Sequence, residues 1–362
     1  MANEPGEHLS GARDGAERLL ARAAAADARA RARLGAVIAD IFLPADARTD
    51  DRTRAAIDTT LAGLIAVVAG ELREHGVRLL RARGEDAFAN AFAEPEPVAA
   101  RLIAAGLPRD PDFMRELIAR VRQDLLAELL PVATGDDPDR PSLLPRLIDH
   151  ADRVVAASAM AVLAADNRRR GEVPTGTDLP AELHHKLVWW VAAALRTPHA
   201  GRPDIAALDR ALTEAALRNL GAQDEGERLE AVALRLAAAL DPAPAEVAEL
   251  LLEALGDRRV ALFIALLAHG LGIPFDAARE IVLDPGGERL WLGCRALDLP
   301  RDAIARIGLT LAEGDAHRDL ERFADELDHI AAIDVATARA AIAPLRLPPD
   351  YRAALDALRN ER

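Results

Sequence analysis

A seven-residue phrase that occurs three times constrains the fold of this chain more than any other feature. Leu271-Gly-Ile-Pro-Phe-Asp-Ala277 recurs as Leu297-Asp-Leu-Pro-Arg-Asp-Ala303 and, more faintly, as Leu345-Arg-Leu-Pro-Pro-Asp-Tyr351. In each copy a proline suits the first position of a helix, where no N–H partner is needed, and an aspartate suits the positive end of the helix dipole. Each copy therefore predicts the end of one helix, a tight turn and the start of the next.

The composition favours helices along the whole chain. Apolar residues make up 51% of the sequence but aromatic residues only 3%. Alanine, leucine and arginine are the commonest residues, and all three favour helix. Because no stretch shows a sustained period-2 alternation, we predict an all-α protein with helix in more than about 65% of its residues.

Short helices with short connections indicate repeated helical pairs. Such pairs bury their faces against their neighbours, so we predict an α-solenoid-like, HEAT-like array of short helical hairpins. The apolar segment Val260–Ala268 is expected at its centre. At the contacts between pairs we expect four buried residues of the repeat, namely Ile281, Leu283, Ile307 and Leu309.

The N-terminal part predicts a long helical hairpin instead. Its first helix runs from Ala12 to about Leu43, and its second begins near Asp50. The second helix carries an apolar stripe of Ile57, Leu61, Leu64, Val68 and Leu72. Packing within the chain is the favoured role of this stripe, and a homodimer through the hairpin is the alternative.

The clearest linker signal is ATGDDPDRP at positions 133–141. We therefore predict a disordered N-terminus over residues 1–11, an N-terminal helical domain over 12–132 and a C-terminal helical-repeat domain over 142–362.

Charge and cysteine content exclude several classes of protein. The net charge of −14 disfavours binding to nucleic acid, and the basic run Arg168–Arg170 is expected in a solvated loop. Cys294 is the single cysteine, so neither an internal disulfide nor a cysteine metal cluster can form. The N-terminus lacks a signal pattern, and apolar runs such as Leu61–Ala69 fall short of the roughly 20 residues that span a bilayer. We expect a cytoplasmic protein without a membrane span.

The histidines suggest two kinds of chemistry. Glu182 with His185, and Glu326 with His329, have the Glu-x-x-His spacing of di-iron helical bundles, but such a site needs two further glutamates. His75 is a candidate phosphoaccepting residue on the N-terminal hairpin, with His184 as a rival. No acceptor-box pattern surrounds His75 and no ATP-binding domain follows it.

Three other features favour structural roles. Cys294 is expected to be a buried, inert thiol. The run Asp284-Pro-Gly-Gly-Glu288 predicts a turn and the N-terminal carboxylate of the next helix, since it lacks the spacing of a phosphate-binding loop. Trp189, Trp190 and Trp291 are expected in the core, with a ligand pocket beside them as the alternative. We assign no catalytic, cofactor-binding or metal-binding residue, and predict no cofactor.

The run from Phe263 to Leu311, with GLGIPFDAAREIVLDPGGERLWLGCRALDLPRDAIARI, resembles the C-terminal signature of the bacterial domain-of-unknown-function family 2336. The upstream runs LPAELHHKLVWWVAAALR and PEPVAARLIAAGLPRDPDFMRELIARV are similar to that family as well. The similarity extends from about residue 35 to 345. It implies a cytoplasmic helical-repeat protein of bacteria with no established activity, and hence no family catalytic residues to carry over.

The sequence thus favours a non-enzymatic helical scaffold or adaptor that binds a protein partner. Two alternatives remain open: a signalling component of the phosphotransfer type built on the N-terminal hairpin, and a small-ligand sensor with an apolar pocket beside the tryptophans.

Overall fold

The structure is a computed structural model that describes residues 51–131, 142–171 and 176–360, together with eleven separate helical positions between Gly15 and Ile41. Helices account for 81% of the described residues, and no strand occurs among them. The all-α prediction is confirmed. Its physical basis is the alanine, leucine, arginine and glutamate content, which lets most segments satisfy their backbone hydrogen bonds locally.

The helices follow one another in the chain, most of them with connections of three to eight residues. They are α1 (Asp51–Ala82), α2 (Asp86–Ala93), α3 (Val98–Ala104), α4 (Pro111–Leu129), α5 (Leu143–Ile148), α6 (Arg153–Arg170), α7 (Ala181–Arg196), α8 (Ile205–Ala222), α9 (Leu229–Leu240), α10 (Pro244–Gly256), α11 (Val260–Leu271), α12 (Phe275–Leu283), α13 (Glu288–Ala296), α14 (Arg301–Gly314), α15 (Leu320–Ala331), α16 (Val335–Ile342) and α17 (Pro349–Asn360). A 3₁₀ turn, Ala343–Arg346, follows α16.

The packing divides the chain into two compact units, each built from separate stretches of sequence. Unit 1 comprises Met1–Val37, Arg122–Val162 and Val232–Arg362, and unit 2 comprises Ile38–Val121 and Leu163–Ala231. The predicted linker at 133–141 and the N-terminus at 1–11 lie outside the described residues. The domains predicted over 12–132 and 142–362 therefore stay a prediction, although the two compact units do not follow that boundary.

Unit 2 is organised around α1. This helix packs against α2, α3, α7 and α8. Its apolar stripe is at most 5% exposed at every position, from Ile57 to Leu72. The favoured role of the stripe, packing within the chain, accounts for its burial, and self-association through the hairpin stays a prediction.

By length and composition α1 could also cross a membrane, since an 18-residue stretch of it has a mean hydropathy of 1.6. The bent pair α11 and α12, at 117°, passes the same test as a broken span. The strongly apolar runs in this helix are short, and the sequence therefore did not predict a span. The alanines, glycines and threonines between those runs carry no charge, so the longer stretch still passes the test. This is weak support for a span, since core helices of soluble proteins have the same composition.

Unit 1 has its core at α11 and α13. The segment Val260–Ala268 is buried on all sides, as predicted. α11 packs against α10, α12 and α13, and α13 also contacts α12, α15 and α16. α11 lies close to Leu297 at Gly270, where a Cβ would lie 2.8 Å from a Leu297 methyl group and would displace that side chain.

The repeated phrase starts helices where the sequence predicts them. Pro274 and Pro300 are the N-cap residues of α12 and α14, so each helix begins one residue after the proline that was predicted to be its first residue. Asp276 and Asp302 lie in the first turns. The proline thus fixes φ at the entry to the helix, and the aspartate complements the helix dipole.

Three of the four predicted contact residues are buried. Ile281 and Ile307 have no exposed surface and Leu283 is 7% exposed. The prediction for Leu309 is wrong, since this side chain is 45% exposed. α14 continues to Gly314, and residues two apart on a helix lie on different faces, so Leu309 turns away from the face of Ile307. The same argument does not apply to Leu283, because α12 ends at this residue.

Candidate functional site

A groove of about 520 Å³ opens in unit 1 between α10, α11, α13 and α16. Its lining consists of Asp241, Pro242, Pro244, Val247, Leu266, His269, Gly270, Leu271, Ala296, Leu297, Arg339, Ile342 and Arg346. The lining therefore combines aliphatic side chains, most of them buried, with four ionisable side chains.

The turns of the three repeated phrases meet at this groove. Leu271 and Leu297 are the first residues of copies one and two, and Arg346 is the second residue of copy three. In copies one and two the residue after the leucine has a left-handed conformation, with φ of 64° at Gly272 and 56° at Asp298. This conformation ends a helix and redirects the chain. The repeat thus places equivalent turns beside one another.

Two arginines of the groove are held by carbonyl oxygens at helix ends. Arg346 donates from Nε and Nη2 to the carbonyl oxygen of Leu271, at 3.3 and 3.2 Å. Arg339 donates from Nε to the carbonyl oxygen of Ala296, at 3.0 Å. The last carbonyls of a helix have no intrahelical partner and lie at its negative end, so these contacts stabilise both helix ends.

The anchoring leaves guanidinium donors available. Each arginine has five N–H donors in a planar fork. Among the described residues, neither Nη group of Arg339 has a hydrogen-bond partner, and neither does Nη1 of Arg346. Both side chains are exposed. The groove therefore offers two fixed positive charges in a chain whose net charge is −14.

The groove also contains a histidine–aspartate pair. Nε2 of His269 lies 3.1 Å from Oδ1 of Asp241, whose side chain is 85% exposed. Asp241 has a φ of 36°, a conformation that L-residues rarely adopt and that costs on the order of 1 kcal/mol. The pair faces solvent, so salt and water weaken its attraction.

The charged part of the lining suits the binding of an anionic ligand. Among the described residues, no serine, threonine, cysteine or lysine lines the groove. Its two anchored guanidinium groups suit a ligand with carboxylates or phosphates, and the half-buried Leu297 beside them offers an apolar contact.

Cys294 is the buried thiol that the sequence predicts. Its side chain has no exposed surface, and burial raises its pKa to about 12. The thiolate, which is the nucleophilic form, is therefore scarce at neutral pH.

The candidate phosphoaccepting histidines differ in accessibility. His75 is half-buried on α1, with Nδ1 3.3 Å from Nη2 of Arg78, and burial together with Arg218 and Arg78 lowers its pKa. His184 is 4% exposed and its Nδ1 lies 2.8 Å from the hydroxyl of Thr177. Burial lowers the pKa of His184, an effect that Asn219 partly opposes. Neutral His184 thus serves in the core, while His75 remains reachable from solvent.

The Glu-x-x-His pairs serve as surface and ion-pair residues. Glu182 and His185 are exposed, and His185 accepts a hydrogen bond from Trp189 at 3.1 Å. Glu326 pairs with Arg22 and Arg322, at 2.6 and 3.3 Å. Within the described part of the chain, no group of three or more histidine, cysteine, aspartate or glutamate side chains could hold a metal ion.

Each tryptophan packs against a different ring. Trp190 contacts Phe113, with ring centroids 5.5 Å apart, and Trp291 contacts Phe323 at 4.5 Å. Trp189 contacts the His185 ring at 6.2 Å. The groove contains none of the three.

Two buried ionic clusters were not evident from the sequence. The prediction of a solvated loop at Arg168–Arg170 is wrong, because these residues form the last turn of α6. The Arg169 side chain is 3% exposed and binds Glu230 at 2.6 Å. The predicted turn at 284–287 is present, but its flanking Asp284 and Glu288 are buried, and Glu288 pairs with Arg322 at 3.0 Å.

The groove itself was also missed by sequence reasoning. The signal was present in the third copy of the phrase, where Arg346 stands at the position of Gly272 and Asp298. An arginine in place of residues that end a helix indicates a different role for this turn.

Comparison with known proteins agrees with the resemblance drawn from the sequence. No curated protein and no solved structure matches the chain. The profile of the family DUF2336, described as "Uncharacterised protein conserved in bacteria", matches residues 164–343. The matched region includes the groove-lining residues from Asp241 to Ile342 and the first two copies of the repeated phrase. The match over residues 164–343 confirms the resemblance of this part of the chain to the bacterial family DUF2336.

Proposed function

We propose that this protein is a non-enzymatic helical adaptor, and that the groove of unit 1 binds an acidic, partly apolar segment of a protein partner. The observation that carries the proposal is the anchoring of Arg339 and Arg346. Each guanidinium is fixed by a backbone carbonyl and keeps donors available. Because little side-chain entropy remains to be lost, such a group binds a carboxylate more favourably than a mobile arginine does.

Charge complementarity selects the partner. The chain as a whole is acidic, with a net charge of −14, and would repel an acidic segment elsewhere on its surface. The half-buried Leu297, which lies in the groove beside the buried Leu266 and Ile342, would contact an aliphatic side chain between the carboxylates. A segment with alternating acidic and aliphatic residues fits this lining best.

The repeated turns support a solenoid-like, HEAT-like arrangement within residues 232–362. In such arrays equivalent turns align along one edge, and partners bind along that edge. The meeting of the turns at Leu271, Leu297 and Arg346 is consistent with this arrangement. We further propose a cytoplasmic location, which suits the single buried cysteine.

A small-ligand sensor is the second candidate function, because the groove volume of about 520 Å³ lies within the range of small-molecule sites. The ligand would carry a carboxylate or phosphate and an apolar group. The sensor and the adaptor would bind their ligands through the same two arginines, so one double variant that changes both arginines tests both functions.

The test is affinity purification from the bacterium that encodes the chain, using wild type, the double variant Arg339→Glu/Arg346→Glu and the control Arg306→Glu. Arg306 is an exposed arginine on α14 outside the groove. We expect a protein that wild type and the control retain and that the double variant retains about tenfold less, a difference of ~1.4 kcal/mol. With purified components, its binding should weaken as salt rises.

Equal retention by all three proteins would contradict the adaptor. If no protein is retained, a melting-temperature screen with small apolar carboxylates and phosphates distinguishes the second candidate. Stabilisation of wild type, but not of the double variant, would support the sensor. The absence of both effects would refute a binding role for the groove.

A further inference from the structure

Arginines that bind backbone carbonyl oxygens recur in unit 1, and those of the groove differ from Arg295 in what they leave available. Arg295, near the end of α13, donates from Nε and Nη2 to the carbonyl oxygen of Ile333, both at 3.2 Å, and from Nη1 to that of Leu299 at 3.0 Å. The backbone thus engages every nitrogen of its guanidinium. Arg339 and Arg346 have nitrogens that no described group engages.

The nitrogens that remain form the outer edge of each groove guanidinium, between Nη1 and Nη2. Arg346 directs Nε and Nη2, on another edge of the planar group, to the single carbonyl oxygen of Leu271. Its outer edge still has one N–H from each Nη nitrogen, because each of them carries two. Arg339 uses only Nε for the carbonyl oxygen of Ala296, so its outer edge is intact as well. Each outer edge therefore presents two parallel N–H groups, which fit the two oxygens of one carboxylate.

Charge alone contributes little to the strength of binding in this groove. Asp241 belongs to the same lining, and its carboxylate, 3.1 Å from Nε2 of His269, is 85% exposed. It offsets part of the positive charge of Arg339 and Arg346. Salt also screens exposed charges of this kind. Directional hydrogen bonds from the two outer edges therefore matter more for binding than the charge of the lining.

We infer, on the basis of the binding function proposed above, that Arg339 and Arg346 are the specificity-determining residues of the groove, and that each holds one side-chain carboxylate of the partner through two parallel hydrogen bonds. A lysine has a single nitrogen, which the helix-end carbonyl and the ligand would have to share, and it offers no parallel pair of N–H groups. Arginine separates the two tasks, because Nε binds the carbonyl and the outer edge binds the ligand. The groove thus requires arginine at both positions, and a positive charge there does not suffice.

Fluorescence anisotropy with a labelled peptide tests this requirement in the full chain. The probe is a short peptide of alternating leucine and glutamate, blocked at both ends, and a second peptide has glutamine in place of glutamate. The proteins are wild type, the double variants Arg339→Lys/Arg346→Lys and Arg339→Glu/Arg346→Glu, and the control Arg306→Lys, which changes an exposed arginine outside the groove.

Wild type and the control should bind the glutamate probe equally, and both double variants should bind it about tenfold more weakly, because charge-assisted hydrogen bonds are lost. The preference of wild type for glutamate over glutamine should shrink equally in both double variants. A loss caused by charge alone would spare the lysine variant, since lysine keeps the charge.

Two outcomes separate this inference from the proposed function. If the lysine double variant binds the glutamate probe as tightly as wild type while the glutamate double variant does not, a charge suffices, and the inference is overturned while the proposed function stands. If wild type binds the probe no better than the glutamate double variant does, both are contradicted.

The single variants Arg339→Lys and Arg346→Lys keep the test decisive if the lysine double variant does not fold. Each changes one exposed side chain and keeps the other carbonyl contact. With melting temperatures unchanged, each should bind the glutamate probe more weakly than wild type. A folded single variant that binds as wild type does would refute the requirement for arginine at that position.

Discussion

The helices that follow the first two copies of the phrase and the helix that follows the third differ in their surroundings. In α12 and α14 the face that carries Ile281 and Ile307 has no exposed surface. In α17 the equivalent Leu355 is half-buried and its neighbour Tyr351 is largely exposed. The phrase therefore specifies where a helix starts, whereas the neighbouring helices decide whether its apolar face is covered.

The turns of the same three copies differ as well. In copies one and two the second residue, Gly272 or Asp298, is left-handed and ends a helix, whereas the second residue of copy three is Arg346. Arg346 then binds the carbonyl oxygen of Leu271, the first residue of copy one. The divergent copy thus contributes an exposed helix face and one of the two anchored arginines of the groove. Where the third copy departs from the first two, its residues thus lie at the surface instead of in a structural position.

The largest expected effect in this comparison is loss of stability at the buried copies. Ile281→Ala and Ile307→Ala should each lower the free energy of unfolding by about 2–4 kcal/mol, because each leaves a cavity among fully packed neighbours. Denaturant unfolding followed by far-ultraviolet dichroism measures the change. A cost below about 0.5 kcal/mol would show that these two side chains contribute less to stability than their burial indicates.

The smaller effect belongs to the third copy. Leu355→Ala should cost less than about 1 kcal/mol at protein concentrations where the chain is monomeric, because the leucine is only half-buried. Leu309→Ala, at a 45% exposed position of α14, is the matched control and should stay within about 0.5 kcal/mol of wild type. A cost at Leu355 equal to that at Ile307 would remove the distinction between the copies.

Much of the fold followed from the sequence because its determinants are local. Pro274 and Pro300 each fix the start of a helix, and the apolar run Val260–Ala268 has to lie in the core of its unit. Leu309 was misplaced because the alignment of the copies tracked sequence position and not helix angle. A helix that continues past such a residue turns it to another face.

The groove and the ionic clusters did not follow, because their determinants are distant in sequence. Arg346 and Leu271 are 75 residues apart, and Arg169 and Glu230 are 61 apart. Which carbonyl or carboxylate an arginine reaches depends on how the helices pack. In a chain with a single lysine, Lys186, arginine is too common for any one position to stand out.

The most direct measurement of the central claim compares groove and histidine variants in one capture experiment. Under the proposed function, binding depends on Arg339 and Arg346 and not on a phosphoaccepting imidazole. His75→Asn and His184→Asn proteins with unchanged melting temperatures should therefore retain the partner as wild type does. The double variant Arg339→Glu/Arg346→Glu should retain about tenfold less, or ~1.4 kcal/mol. Loss of the partner in folded His75→Asn, with full retention by the arginine double variant, would contradict the account and favour phosphotransfer.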